Sequence, residues 1–286
     1  MLDHQKLMDR LVNAMGVGAA ELPPDVVSRL EEAYSREMSE AAKMQLKAIL
    51  DNIELARNER LPLCQDTGIQ IFFIEAGYEF PYLSQVCRVI PAAVERATKE
   101  VPLRPNTVDP FTGKNPGNNL GHRMPPVAIE LVEGKNATIH LLPKGGGSEN
   151  MSALWMLTPA EGFKGMRRRI LEHIQHAGGK PCPPVVLGIG VGGGADIAMK
   201  LAKKALLRPL DAPNSHAAVA AMENTILEDV NALGVGPMGM GGETTALAVH
   251  IEHTCRHPAT FPVAMVVQCW CDRRAVVTIS EHGEVL

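Results

Sequence analysis

Cys64, Gln65, Asp66 and Thr67 place a thiol, an amide, a carboxylate and a hydroxyl on four adjacent positions, closed by Gly68. A cysteine beside ionisable neighbours can be a nucleophile, a metal ligand or an ordinary buried thiol, and the residues alone leave all three open. A second stretch, Lys144-Gly145-Gly146-Gly147-Ser148-Glu149-Asn150, sets three consecutive glycines before polar side chains. Such a run costs backbone entropy that a turn does not require. It points to backbone N–H groups approaching a carboxylate or phosphate, with a flexible surface turn as the plain alternative. No Gly-Lys-Ser/Thr closes it, so it is not a Walker loop. Arg104 stands in a Pro-, Asn- and Gly-rich stretch, 102–126, whose length makes it either functional or disordered. Its guanidinium could grip a carboxylate with two hydrogen bonds, or simply be solvated. Two more thiols sit in rigid or terminal settings: Cys182 between Pro181 and Pro183-Pro184, and Cys269 at the end of an apolar run from Val263. Spacing alone does not show that the thiols converge, because cluster and zinc sites are usually announced by close pairs such as C-x-x-C, absent here.

Two other patterns define a rival reading, a non-catalytic nucleotide- or zinc-binding protein. Gly188, Gly190 and Gly193 formally match the dinucleotide fingerprint, with a helix expected over Asp196–Leu206 and Asp211 in place for a ribose contact. Only three apolar residues precede the first glycine, where a full strand is expected. His253, Cys255 and His257 would share one face of an extended chain and could bind zinc, although their spacing matches no known zinc motif.

The elements that must position these residues follow from periodicity. Leu2–Val17 and Pro24 to about Leu61 repeat apolar residues at three and four, giving a helical layer over 1–60. Gln70–Glu75 reads as a central strand. Ser84–Glu100 reads as an amphipathic helix kinked or restarted at Pro91, with Cys87 in the core beside Val86, Ile90 and Val94. Val127–Val132 and Ala137–Leu142 flank Glu133-Gly134-Lys135-Asn136 in the pattern of a β-hairpin. Helices follow over Pro159–Ala177 and Asn214–Leu233, a glycine-rich loop over Gly234–Gly242, and strands over Val185–Val191, Ala246–Ile251, Val263–Cys269 and Ala275–Ser280. The fold class expected is mixed α/β, one domain over 1–286 with the chemistry in 61–286.

Composition narrows the function. The chain is 45% hydrophobic and 21% charged, enough to bury a full core over 286 residues. A formal net charge of -4 with dispersed Lys and Arg gives no electrostatic footprint for nucleic acid. No apolar run approaches a membrane span, and Met1–Leu22 lacks the apolar core of a secretory signal. Six scattered cysteines without a small-scaffold framework then imply reduced thiols and a cytoplasmic protein.

Taken in order, Cys64-Gln65-Asp66-Thr67-Gly68, Lys144-Gly145-Gly146-Gly147-Ser148-Glu149-Asn150, Cys182-Pro183-Pro184, Arg256-His257-Pro258 and Cys269-Trp270 resemble the class I, iron-sulfur-dependent fumarases and related L-tartrate dehydratases. The likeness covers nearly the whole chain and is closest to the α subunit of the two-subunit forms. The resemblance implies a 4Fe-4S cluster on Cys64, Cys182 and Cys269, with Cys271 as the rival for the third place. Three thiolates would leave one iron open as a Lewis acid for substrate oxygens. It further implies that Gln65, Arg104, Lys144, Gly145, Gly146, Gly147, Ser148, Glu149 and Asn150 bind a small dicarboxylate. Asp66 and His257 would belong to the acid/base network. The expected reaction is reversible hydration of fumarate to (S)-malate, with L-tartrate dehydration as the alternative. Because the chain ends at Leu286, where single-chain relatives continue, a separate β subunit and an oligomer of αβ pairs are expected.

Overall fold

A nine-residue strand, Ile69–Gly77, is buried on both faces and organises the first half of the chain, as the computed structural model, which describes residues 1–286, makes plain. In chain order the elements are α1 (His4–Ala20), α2 (Pro24–Arg36), α3 (Glu40–Glu59), β1 (Ile69–Gly77), α4 (Leu83–Glu100), β2 (Val127–Val132), β3 (Ala137–Lys144) and the single turn α5 (Gly146–Glu149). There follow β4 (Ala153–Leu157), α6 (Gly162–Ala177), β5 (Val185–Gly193), α7 (Ala195–Ala205), α8 (Ala217–Ala232), β6 (Ala246–Arg256), β7 (Phe261–Gln268) and β8 (Ala275–Ile279). The fold is mixed α/β, as expected. No helix is long and apolar enough to cross a membrane.

The chain divides into two compact units. Unit 1 comprises Met1–Leu22, Ile53–Gly145 and Arg273–Leu286. Its sheet has the order β2-β1-β3-β8, with β2 parallel and β3 antiparallel to β1. Leu7, Leu11 and Met15 of α1 and Val86, Ile90 and Val94 of α4 form one core with Phe72 and Ile74 of β1 and Ile139 of β3. Cys87 packs against this core, and burial pushes its thiol pKa up, which makes it inert, in keeping with the core role expected. Helix α4 runs unbroken through Pro91. The hairpin expected from Val127–Val132 and Ala137–Leu142 does not form: β1 lies between the two strands. The 133–136 connection instead crosses the end of β1, where Gly77 N–H donates to Asn136 O and Glu79 N–H to Gly134 O. A Cβ on Gly77 would overlap the Gly134 carbonyl. β1, apolar on both faces, takes the central place, and alternating β2 goes to the edge.

Unit 2 comprises Pro23–Asn52 and Gly146–Asp272. Its sheet has the order β4-β7-β5-β6, with β5 and β6 parallel and β7 antiparallel to β5. Met166 and Ile170 of α6 and Ile226 and Val230 of α8 share a core with Leu187, Ile189, Val263, Met265 and Ile251. α7 packs on β5 through glycine: a Cβ on Gly188 would overlap the Ala202 carbonyl, and one on Gly190 the Ala198 carbonyl. These glycines lie inside a nine-residue strand, not at its end, so they serve close helix–strand packing. β4 was not expected; it is an edge strand paired to β7. The helix expected from Pro24 to Leu61 is broken at residues 37–39, where the Glu37 carboxylate accepts from Met38 N (3.0 Å) and Ser39 N (2.9 Å). The two closing strands belong to different sheets, β7 to unit 2 and β8 to unit 1.

Candidate active site

In unit 1 the polar knot is built on Asp66. Its Oδ1 accepts from Gly68 N (2.9 Å), an Asx turn that Gly68 completes with φ of 77°. Gly68 must be glycine for a second reason, since a Cβ there would lie 2.7 Å from Lys144 N. Across the same gap, a Cβ on Gly145 would lie 3.0 Å from Asp66 Oδ2, so β3 delivers the glycine stretch directly against the carboxylate. Lys144 itself is buried. The backbone of Asp66 is fixed too: its carbonyl accepts from Arg273 Nη2 (3.0 Å), and Arg273 is only 1% exposed.

The 102–126 stretch is ordered by asparagines. Thr67 Oγ1 accepts from Arg104 N (2.9 Å), and Asn119 Nδ2 donates to Arg104 O (3.0 Å), so the backbone of Arg104 is held on both sides while its side chain stays exposed. Asn106 Nδ2 reaches Gly68 O (3.2 Å) and Asp66 Oδ1 (3.5 Å), and its N–H donates to Asn119 Oδ1 (2.6 Å). Gln65 is exposed and Cys64 half-buried on the same knot. Unit 1 thus brings together Gln65, Asp66, Gly145 and the segment bearing Arg104. Thr67, the hydroxyl of the knot, joins them, as do Asn106, Asn119 and Arg273, which sequence reasoning did not single out. The Asn-rich composition was the one available signal.

In unit 2, Cys182 has φ of 55°, unusual for a non-glycine, and its N–H donates to Gly179 O (3.0 Å). Its carbonyl accepts from Trp270 N (3.2 Å), which lays the Cys182 segment beside Cys269-Trp270. Neither Cys182 nor Cys269 is in a disulfide and both are half-buried, whereas Cys271 is fully buried. A ligand must present its sulfur to a space large enough for the group it binds, and partial exposure favours Cys269 over Cys271. The donor set is soft thiol, as an iron-sulfur cluster needs. The glycine stretch continues as α5: Ser148 is buried, Asn150 exposed, and Glu149 pairs with Lys203 (2.5 Å).

His257 is placed elsewhere in unit 2. It follows β6, while Cys269 follows β7, and β7 is eight residues long. At the usual strand rise these positions lie roughly 25 Å apart. Arg256 builds the corner, stacking on Phe261 (5.1 Å) and donating from Nη1 to His257 O (3.2 Å), Pro258 O (3.1 Å) and Thr260 O (3.0 Å). His257 is exposed there, with Nδ1 accepting from Ala259 N (3.1 Å), which leaves the proton of the neutral ring on Nε2.

The rival patterns are not assembled. No three His, Cys, Asp or Glu side chains gather as a metal-ion site in either unit, and His253, Cys255 and His257 are all exposed. Gly188, Gly190 and Gly193 are taken up by packing at α7 and its first turn.

Comparison with known proteins places the chain in a family. The family described as Fumarate hydratase (Fumerase) matches residues 8–278. The chain is 47% identical over 278 residues to a protein of Methanocaldococcus jannaschii named "Putative L(+)-tartrate dehydratase subunit alpha", covering 96% of this chain and 98% of that one. It is 34% identical over 275 residues to the "L(+)-tartrate dehydratase subunit alpha" of Escherichia coli strain K12, covering 96% and 91%. Matched by the family model over residues 8–278 and by these relatives over almost its whole length, the chain belongs to the fumarate hydratase (Fumerase) family of lyases.

Proposed function

We propose that the chain is the α subunit of a hydro-lyase interconverting fumarate and (S)-malate. The observation that carries this reading is the Trp270 N–H to Cys182 O bond, which sets two half-buried thiols on adjacent segments. Cys64, Cys182 and Cys269 would hold a 4Fe-4S cluster, which when bound would supply a Lewis acid for hydroxyl and carboxylate oxygens. The protein's own residues do the rest. Gln65, Arg104 and Lys144, with Gly145–Gly147, Ser148 and Asn150, bind the two carboxylates. Glu149 shapes that loop through Lys203. Asp66, held at Oδ1 by Gly68 N–H and at its carbonyl by Arg273, presents Oδ2 for proton transfer at the carbon next to a carboxylate.

His257 lies too far along its own chain from Cys269 to act in the same copy. It completes the acid/base network from a second chain, in an oligomer of αβ pairs. A β subunit supplies the remaining substrate contacts, a partner that the α-subunit names of the relatives support. The thiols stay reduced in the cytoplasm.

L(+)-tartrate is the second reading, favoured by the names of the relatives. It differs from malate by one hydroxyl, and sites built around a hydroxyl discriminate strongly. With the reconstituted αβ protein, kcat/KM for malate is expected to exceed that for L-tartrate by about tenfold or more, a difference of roughly 1.4 kcal/mol in transition-state binding. The reverse ratio would replace fumarate by tartrate chemistry.

A further inference from the structure

The glycine-rich loop 234–242 has no part in the chemistry above, yet it carries the most constrained backbone of unit 2. Gly234, Gly236, Gly239, Gly241 and Gly242 all have positive φ, and so does Met238, at 53°. A methionine is held in that region only where its surroundings over-determine it. Here they do. Met238 N–H donates to Pro183 O (2.8 Å), one residue beyond Cys182. Gly239 lies on Gly179, whose carbonyl accepts from Cys182 N, so closely that a Cβ on Gly239 would come within 2.6 Å of the Gly179 Cα. Cys182 and Met238, two non-glycine residues in the left-handed region, therefore brace each other across the Pro183 carbonyl.

The far end of the loop is fixed by Glu37, which is 1% exposed. Its Oε1 accepts from Met38 N and Ser39 N, and its Oε2 from Glu243 N (2.9 Å). Gly242 fits against it, for a Cβ there would lie 2.7 Å from Oε2. A buried carboxylate shared among three backbone donors is a rigid anchor, because moving any donor strands a buried charge.

We propose that Glu37 and the loop 234–242 are positioning elements that set the backbone of Cys182 and hence the direction of its sulfur. The functional consequence rests on Cys182 being a cluster ligand; the positioning itself does not. Two measurements on the full-length chain keep these apart. The first is site-resolved alkylation of the metal-free chain by iodoacetamide under native conditions, read by peptide mass spectrometry. Glu37→Ala is expected to speed labelling of Cys182 by about tenfold or more, with fully buried Cys271 unchanged, because a local opening raises reactivity only where it occurs. Should Glu37→Ala not fold, Gly239→Ala tests the same brace at the Gly179 contact. Labelling of Cys182 at the wild-type rate, or Cys182 and Cys271 accelerating together, would overturn the proposal. The second measurement is electron paramagnetic resonance of the reduced, reconstituted protein, where a shifted g-tensor in the variant is expected and a wild-type spectrum contradicts the consequence. If the wild type takes up no iron, the ligand reading fails while the labelling still decides the positioning.

Discussion

Gly190→Val is expected to give a chain that does not reach a cooperatively folded state, and Gly190→Ala one that melts well below wild type. β5 runs between β6 and β7, and α7 crosses it with Ala198, Ala202 and Ala205 fully buried. Backbone meets backbone there, because a single Cβ on Gly190 overlaps the Ala198 carbonyl and also comes within 2.7 Å of Ala202 N. No side-chain rotamer can relieve that overlap. Relief requires lifting the helix off the sheet, and overpacking typically costs about 1–3 kcal/mol, more when backbone must move. A domain holds only about 5–15 kcal/mol in total. Denaturant unfolding of the alanine variant should show a loss of roughly 3 kcal/mol or more. A wild-type midpoint would mean that α7 is free to shift, and the packing account of these glycines would be wrong.

Asp66→Asn in the reconstituted αβ protein is expected to lower kcat by about 10²–10⁴-fold, the range general acid/base groups supply, while leaving iron content and melting temperature close to wild type. The amide keeps an oxygen for Gly68 N–H and keeps the shape that fits against Gly145. What it loses is the negative charge and the ability to take up a proton. Turnover within about threefold of wild type would reduce Asp66 to the anchor of an Asx turn and move the chemistry elsewhere.

Much of the fold is legible in the residues alone. Helices α1 and α4 follow from apolar spacing, because each buries one face in the unit 1 core, and α7 is expected only as the helix after the Gly188-x-Gly190-x-x-Gly193 pattern. Pairing was not legible. Val127–Val132 and Ala137–Lys144 are short, adjacent and joined by Gly134, all that a hairpin requires locally. The insertion of β1 between them is a property of the sheet. β4 escaped notice because Leu154 and Met156 face outward, leaving no clean alternation of apolar and polar. Glu37 breaks a continuous helical pattern by bonding residues two hundred positions away, as with Glu243 N, which periodicity does not register.

The site divides in the same way. Cys64, Asp66 and the glycine stretch stand out by type and order, although spacing alone does not bring the thiols together. Asn106, Asn119 and Arg273 do not, since each acts by holding another residue's backbone. Arg273, between Asp272 and Arg274, reads as a surface charge and is in fact buried against the Asp66 carbonyl. His257 shows the converse. Its motif is visible, but its distance along β7 from Cys269 needs the strand.

Anaerobic reconstitution with iron and sulfide, read by visible absorption and iron content, tests the central claim most directly. The wild type is expected to take up about four irons per chain, as a cubane requires, and Cys64→Ala, Cys182→Ala and Cys269→Ala to fail while Cys271→Ala succeeds. A colourless wild type, or cysteine variants that load as well as it does, would contradict the assignment of these three thiols.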